Sequence, residues 1–223
     1  MRIAIAGAGA VGRSIALELV ESKHQVMLIE RELANIDPES VERAEWVHAD
    51  ACELASLEEA GLEGCDVVIA ATGDDKVNLV VSLLAKTEFA VRRVVARVND
   101  PRNEWLFSDN WGVDVAVSTP RLLAALVEEA VAVGDLVRLL TLRQGQANLV
   151  EVTLPAHTPL AGAPVRALKL PNDSALVTIL RGGRVIVPQP DDPIEPGDEL
   201  MFVAAEDFEE EIQRVLKGEP EAS

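Results

Sequence analysis

Tyrosine is absent from the 223 residues, and aromatic side chains of all kinds make up only 3%. Surfaces that stack unpaired bases are built from such rings, so nucleic-acid binding by stacking is not expected. Basic charge is scarce as well: 20 lysines and arginines face 38 aspartates and glutamates, a formal net charge of −18. A chain this acidic repels phosphate backbones and anionic lipid headgroups, so a membrane role must run through a protein partner. The two cysteines, Cys52 and Cys65, are too few for a disulfide framework and have no metal-ligand cluster around them, which fits a reducing compartment. No apolar run approaches the roughly 18 residues of a spanning helix, and a soluble cytosolic protein is the default expectation. Arg2 to Val11 has the outline of a signal peptide with Ala6-Gly7-Ala8 as its cleavage site. Glycines interrupt that run, however, and it continues straight into a periodic helix.

What remains is aliphatic. Hydrophobic residues reach 48%, enough for a true core made of Val, Leu, Ile and Ala. Up to about residue 131, short β-branched runs alternate with helical patterns, the signature of βαβ units and a parallel sheet. Strands are expected at Arg2–Ala6, Gln25–Ile29, Glu45–His48, Asp66–Ala71, Arg93–Arg97 and Asp114–Val117, which amounts to a complete Rossmann-type sheet. Helices are expected at Val11–Ser22, Leu54–Ala60, Asp75–Lys86 and Asn103–Asn110, with a weaker one at Pro38–Ala44. The Asp75 helix carries an apolar arc too wide for one sheet-facing stripe, so either neighbouring elements or a second subunit cover its other side. A further helix starts at Ser118-Thr119-Pro120 and runs to about Val131, with Leu122, Leu123, Leu126, Val127 and Ala130 on one stripe.

Beyond Gly134 the segments become strand-like and are punctuated by Pro and Gly, with a tight hairpin at Gly182-Gly183 and a short helix expected over Leu160–Leu168. Phe208, Ile212, Val215 and Leu216 fall at helical spacing near the end. The fold class is therefore α/β, a Rossmann-type parallel sheet followed by a small α+β domain. The expected boundaries are 1–133, 134–218 and a disordered tail at 219–223.

Gly7, Gly9 and Gly12 form G-x-G-x-x-G in the first strand-to-helix turn. There the unpaired amides and positive dipole of a helix N-terminus favour a diphosphate. Gly7 permits the turn, Gly9 lets backbone approach the phosphates, and Gly12 lets helix pack on strand. Glu30 ends the next strand, near the spacing of about 20 residues expected for a ribose-binding carboxylate that repels a 2′-phosphate. Arg31 beside it offers a place for that phosphate, so NAD or adenosine nucleotides are favoured over NADP without NADP being eliminated. The later strand ends face the same crevice and bring Asp50, Ala51, Thr72, Gly73 and Arg97 towards it. Asp50 and Asp74 have a plain alternative as helix caps, and Arg97 as an ion-pair partner.

The stretches IAIAGAGAVGRSIALEL, LIER, HADACELASLEEAGLEGCDVVIAATGDDKVNLV, VVARVNDPRNEWLFSDNWGVDVAVST and PDDPIEPGDELMFVAA resemble the RCK, KTN or TrkA-type regulatory subunits of Trk and Ktr potassium transport. The similarity covers nearly the whole chain and is most specific from Asp50 through Asn78. It implies nucleotide contacts at Gly7, Ala8, Gly9, Ala10 and Val11 for the diphosphate, Glu30 for ribose, Asp50 near adenosine, and Thr72, Gly73 and Arg97 around the ligand. Arg13 matches a residue that in some relatives approaches phosphate from the partner subunit. The chain departs from the family pattern at Ala49, where Gly-Asp is usual, at Cys52, where Thr is common, and at Glu30, where Asp is frequent.

The resemblance also implies a cytosolic subunit at the inner face of the membrane, docked on a membrane-embedded potassium translocating subunit and altering its activity with NAD(H) or ATP/ADP state. With one copy of each domain, it implies a homo-oligomer in which dimers joined by the Thr119 helix build a ring, and a second domain that binds a further small ligand or ion.

The rival from another class is a small NAD(P)-dependent oxidoreductase, which needs a proton donor or acceptor beside the nicotinamide. His157 is the only histidine of the second domain, His24 and His48 sit beside strands of the first, and no catalytic set emerges. Asp191, Asp192, Glu195, Asp198 and Glu199 carry oxygen ligands of the kind that hold Ca²⁺ or Mg²⁺, but read more simply as a solvated turn. No metal site is expected.

Overall fold

A computed structural model describes residues 1–131, 133–142 and 147–218. The tail expected at 219–223 lies outside them, as does the side chain of Ala130. The chain divides into two compact units, Met1–Arg121 and the remainder from Leu122.

The first unit is built on six strands: β1 (Arg2–Ala6), β2 (Gln25–Glu30), β3 (Glu45–His48), β4 (Val67–Ala70), β5 (Arg93–Val98) and β6 (Val115–Ser118). They pair in parallel in the order β3-β2-β1-β4-β5-β6. The central strands are buried on both faces, which is why they read as continuous apolar runs. Period-two alternation divides them: Ile3 and Ile5 join the core under α1 (Ala10–Glu21), and Ala4 and Ala6 join the core under α2 (Leu54–Glu59) and α3 (Asp75–Thr87). The order reverses between β1 and β4, and a crevice opens there at the carboxyl ends of the strands.

The wide apolar arc of α3 is met within this unit. Gly112 sits at φ +72, where a Cβ would come within 2.7 Å of the Ser82 carbonyl, and the chain beside it brings Trp111 and Val113 onto the core that α3 shares. Two expected helices are shorter and tighter than their periodicity suggests. Residues 103–110 form 3₁₀ turns at Pro101–Leu106 and Asp109–Trp111, and Pro38–Val41 is a single 3₁₀ turn. Gly112 takes a left-handed conformation that ends the second turn, so no α-helix propagates there.

The second unit holds β7 (Val137–Leu142), β8 (Ala147–Thr153), β9 (Ser174–Arg181), β10 (Arg184–Ile186) and β11 (Glu199–Ala204), antiparallel in the order β10-β9-β11-β8-β7. Gly182 and Gly183 both take positive φ in the β9–β10 hairpin, as a primed turn requires. Ile212 and Leu216 of α5 (Glu209–Lys217) pack on Val150, Val152, Leu200 and Phe202. The helix expected over Leu160–Leu168 is reduced to a turn at Val165–Ala167, because Gly162 takes φ +78 and Pro164 bridges to Pro193. The acidic run does not converge on one point: Asp198 is fully buried against Arg181, Asp191 pairs with Arg166, and Asp192 accepts from the Gln189 amide. Among the described residues no group of His, Cys, Asp and Glu is arranged to hold a metal ion.

Helix α4 (Thr119–Val131) begins in the first unit and continues in the second. No helix among the described residues is long and apolar enough to cross a membrane.

Candidate functional site

The crevice at the switch point is a cavity of about 610 Å³. Its floor is the glycine turn, and the three glycines there answer to different constraints. Gly7 takes φ +99, and a Cβ on it would meet the Thr72 Cα at 2.9 Å. Gly12 is pressed so closely on the turn that a Cβ would stand 1.9 Å from the Gly7 carbonyl oxygen. A Cβ on Gly9 would meet nothing within 4 Å. Two of the glycines are thus demanded by the protein's own packing, while the third leaves open space.

Gly9 is also the N-cap of α1, with no side chain capping the helix and no acidic residue in its first turn. Ala10 and Val11 line the cavity there, so the first-turn amides and the positive helix end lie at its wall. Next to the turn stands Glu30, whose Oε2 accepts from the Ala8 amide at 2.8 Å and whose Oε1 accepts from the Glu32 amide at 2.9 Å. These bonds tie the end of β2 to the glycine turn and leave each oxygen a free lone pair for a ligand hydroxyl. Arg31 is drawn to Glu32 at 3.2 Å and Asp50 at 3.6 Å, and those carboxylates raise its pKa, the Glu32 hydrogen bond first. Asp50 itself caps the following turn by accepting from the Cys52 amide at 2.9 Å.

The far wall is held by amide side chains. Asn78 is fully buried on α3; its Oδ1 accepts from the Thr72 amide and hydroxyl at 2.9 and 2.6 Å, and its Nδ2 donates to the Arg97 carbonyl at 2.8 Å. Arg97 lines the cavity and its Nε is buried without a hydrogen-bond partner. A buried guanidinium nitrogen with no acceptor is costly, and an anionic or carbonyl-bearing ligand at this wall would supply one.

Of the residues singled out from sequence, Gly7, Gly9, Ala10, Val11, Glu30, Asp50, Ala51, Thr72, Gly73 and Arg97 all line this cavity. Ala8, Gly12 and Arg13 do not: Ala8 and Gly12 are buried behind the turn, and Arg13 is half-buried on α1. Asp74 caps α3 by accepting from the Lys76 amide at 2.8 Å, one of the two roles considered for it. Sequence reasoning missed Asn78, Asp75 and Asn99. Two polar residues at 75 and 78, on the same face of an apolar helix, were the available signal.

Residues 3–119 match the model of the TrkA-N domain, and residues 149–217 that of the TrkA-C domain. The Trk system potassium uptake protein TrkA of Mycobacterium tuberculosis is 67% identical over 216 residues, covering 97% of this chain and 98% of that protein. The chain belongs to the TrkA family. A TrkA homolog of Methanothermobacter thermautotrophicus is 29% identical over 219 residues, with 98% and 100% coverage. Among solved structures, the GsuK channel bound to NAD shares the fold at a TM-score of 0.69 and 18% identity. That likeness covers all of this chain and 40% of the channel chain. The matched family is that of Trk-system potassium uptake proteins and not an oxidoreductase family.

Proposed function

We propose that this chain is a cytosolic nucleotide-binding regulatory subunit that gates potassium uptake by a membrane-embedded Trk- or Ktr-type translocating subunit. One observation carries the nucleotide reading. The cavity brings together an uncapped helix N-terminus, a carboxylate with free lone pairs beside it, and a buried Arg97 Nε that lacks an acceptor. That donor set fits a nucleotide diphosphate and ribose. The first-turn amides around Gly9, Ala10 and Val11 would hold the diphosphate, Glu30 the ribose hydroxyls, and Thr72, Gly73, Asp50 and Ala51 the walls; Arg97 would pair with the ligand. Gly7 lines the cavity at the turn, Ala8 and Gly12 shape that turn from behind, and Arg13 reaches a phosphate from a partner subunit. NAD(H) and ATP/ADP both suit this arrangement, and the channel of like fold has been solved with NAD and with ADP.

The potassium-uptake names of the relatives support regulated transport, with this subunit docked at the inner face of the membrane. Subunit contact is assigned to α4, where Leu123, Leu126 and Val127 are 60%, 56% and 63% exposed. Large side chains at helical spacing with this exposure fit a homodimer that builds into a ring. The domain boundaries proposed are 1–133 and 134–218, so that α4 belongs to the first domain.

Thermal shifts across NAD, NADH, NADP, ATP and ADP test the ligand class, since a nucleotide at about 100 times its Kd stabilises by about 2.7 kcal/mol. No shift with any of the five would overturn the nucleotide reading. Glu30→Ala with Arg31 retained is expected to move the NAD to NADP affinity ratio about tenfold towards NADP, because a repelling carboxylate goes and the Ala8 amide is released. Calorimetric titration of both dinucleotides checks it, and an unmoved ratio would show that Glu30 does not face the ribose. Leu123→Glu with Leu126→Glu is expected to leave a monomer that still binds nucleotide, because the contact would bury like charges. Light scattering reads the mass; a double variant with the full oligomeric mass removes α4 from the interface.

A further inference from the structure

Asp75 is one of few charged side chains buried in the first unit, and it does not line the cavity. It collects four hydrogen bonds from uncharged donors. Oδ1 accepts from the Asn99 amide at 2.6 Å and Asn99 Nδ2 at 3.0 Å, and Oδ2 accepts from the Asp100 amide at 3.0 Å and Asn103 Nδ2 at 2.8 Å. Burial by itself would raise its pKa, but the bonds from Asn103, Asn99 and Asp100 outweigh it and hold the carboxyl below its ordinary range. The group is therefore ionised, the one state that offers acceptors to all four donors.

These partners lead in two directions. Towards the cavity, Asn99 Nδ2 also donates to the Thr72 carbonyl at 3.0 Å, and Asn78 joins Thr72 to Arg97. Away from it, Asn103 belongs to the turn Pro101–Leu106, whose Glu104 pairs at 2.6 Å with Arg121 in the first turn of α4. Hydrogen bonds thus run from the Thr72 and Arg97 wall of the cavity through Asp75 to Asn103, and the next residue in that turn, Glu104, makes the ion pair to the base of the helix with the exposed apolar face. Their separations in sequence, 24 to 28 residues around Asp75, show that tertiary structure alone assembles them.

We propose that Asp75 is a positioning residue that couples the nucleotide cavity to the base of α4. The inference rests on the nucleotide reading above. A ligand that engages Thr72 or Arg97 biases the position of Asn99, the carboxylate carries that bias to Asn103, and the Glu104–Arg121 pair delivers it to α4. Coupling of this kind requires only that the ligand favour one arrangement of these contacts over another. Replacing the carboxylate by an amide would set an NH₂ against the Asp100 and Asn103 donors.

Hydrogen exchange of the full chain, with NADH and ADP as probes, separates the possibilities. The variants Asn103→Ala and Arg121→Ala interrupt the chain of contacts outside the cavity, and their melting temperatures report whether folding is retained. In the parent, nucleotide is expected to slow exchange at residues 7–13, 101–106 and 119–127. In Asn103→Ala the slowing at 7–13 and the Kd are expected to persist while the response at 119–127 is lost. In Arg121→Ala the response is expected to reach 101–106 and stop there. A response at 119–127 that survives in both variants overturns the coupling. A parent that responds at 7–13 but not at 119–127 overturns the coupling alone, and a parent that responds nowhere overturns the nucleotide reading and the coupling with it.

Discussion

Gly9→Asp is expected to melt at or slightly above the parent's temperature and to lose nucleotide binding by about 100-fold or more. Both halves follow from one position. Gly9 has φ −68 and ψ −175, extended backbone open to any residue, and a Cβ there meets no protein atom within 4 Å. It is the N-cap of α1, where Asp is preferred over Gly by a few tenths of a kcal/mol, so the unliganded protein gains a cap. The same carboxylate would then stand among the amides assigned to the diphosphate. Like charges about 4 Å apart at a partly buried site repel by several kcal/mol, which exceeds the roughly 2.7 kcal/mol of a 100-fold change in affinity. Calorimetry with NADH and ADP, alongside melting of the unliganded variant, reads both effects. A folded variant with parental affinity would mean that the turn does not face the ligand.

Gly12→Ala is expected to do the reverse, destabilising the fold of the first unit while adding no charged or polar group to the cavity. A methyl group 1.9 Å from the Gly7 carbonyl oxygen cannot be accommodated by a rotamer change, because the atom it strikes is backbone. The helix must lift from the strand, and α1 covers the core that contains Ile3, Ile5, Ala16, Val20 and Leu28. The cost is expected at about 4 kcal/mol or more, a large part of the roughly 5–15 kcal/mol that holds a domain together. Urea unfolding followed by circular dichroism checks it. A midpoint within error of the parent's would show that α1 tolerates the displacement and that Gly12 is not a packing constraint. Together the two variants separate what the motif does for a ligand from what it does for the fold.

Much of this molecule was legible in one dimension. Strand positions β1 to β6 fall within a residue or two of the β-branched runs, and β1 and β2 read most plainly because an element buried on both faces needs an uninterrupted apolar sequence. The glycine turn and Glu30 were legible for a related reason: a sharp strand-to-helix turn and a carboxylate one strand later are both local features. Periodicity failed at 103–110 and 160–168, where apolar residues lie at helical spacing but Ser, Asp, Asn, Gly and Pro decide the backbone.

The sequence by itself determined the order of elements, the two-part organisation, the glycine spacing and the formal net charge of −18. Tertiary structure decided which of the motif's residues see the cavity. Gly9 does, while Gly12 and Ala8 serve the turn from behind, a division that depends on how closely α1 seats on β1. Tertiary structure also decided that Asp75, Asn78, Asn99 and Asn103 form one network, since their contacts require α3 and the end of β5 to lie side by side across the sheet. The physical reason is the same in both cases: backbone preference acts over a few residues, whereas the pairing of buried polar groups is settled only when strands distant in sequence become neighbours.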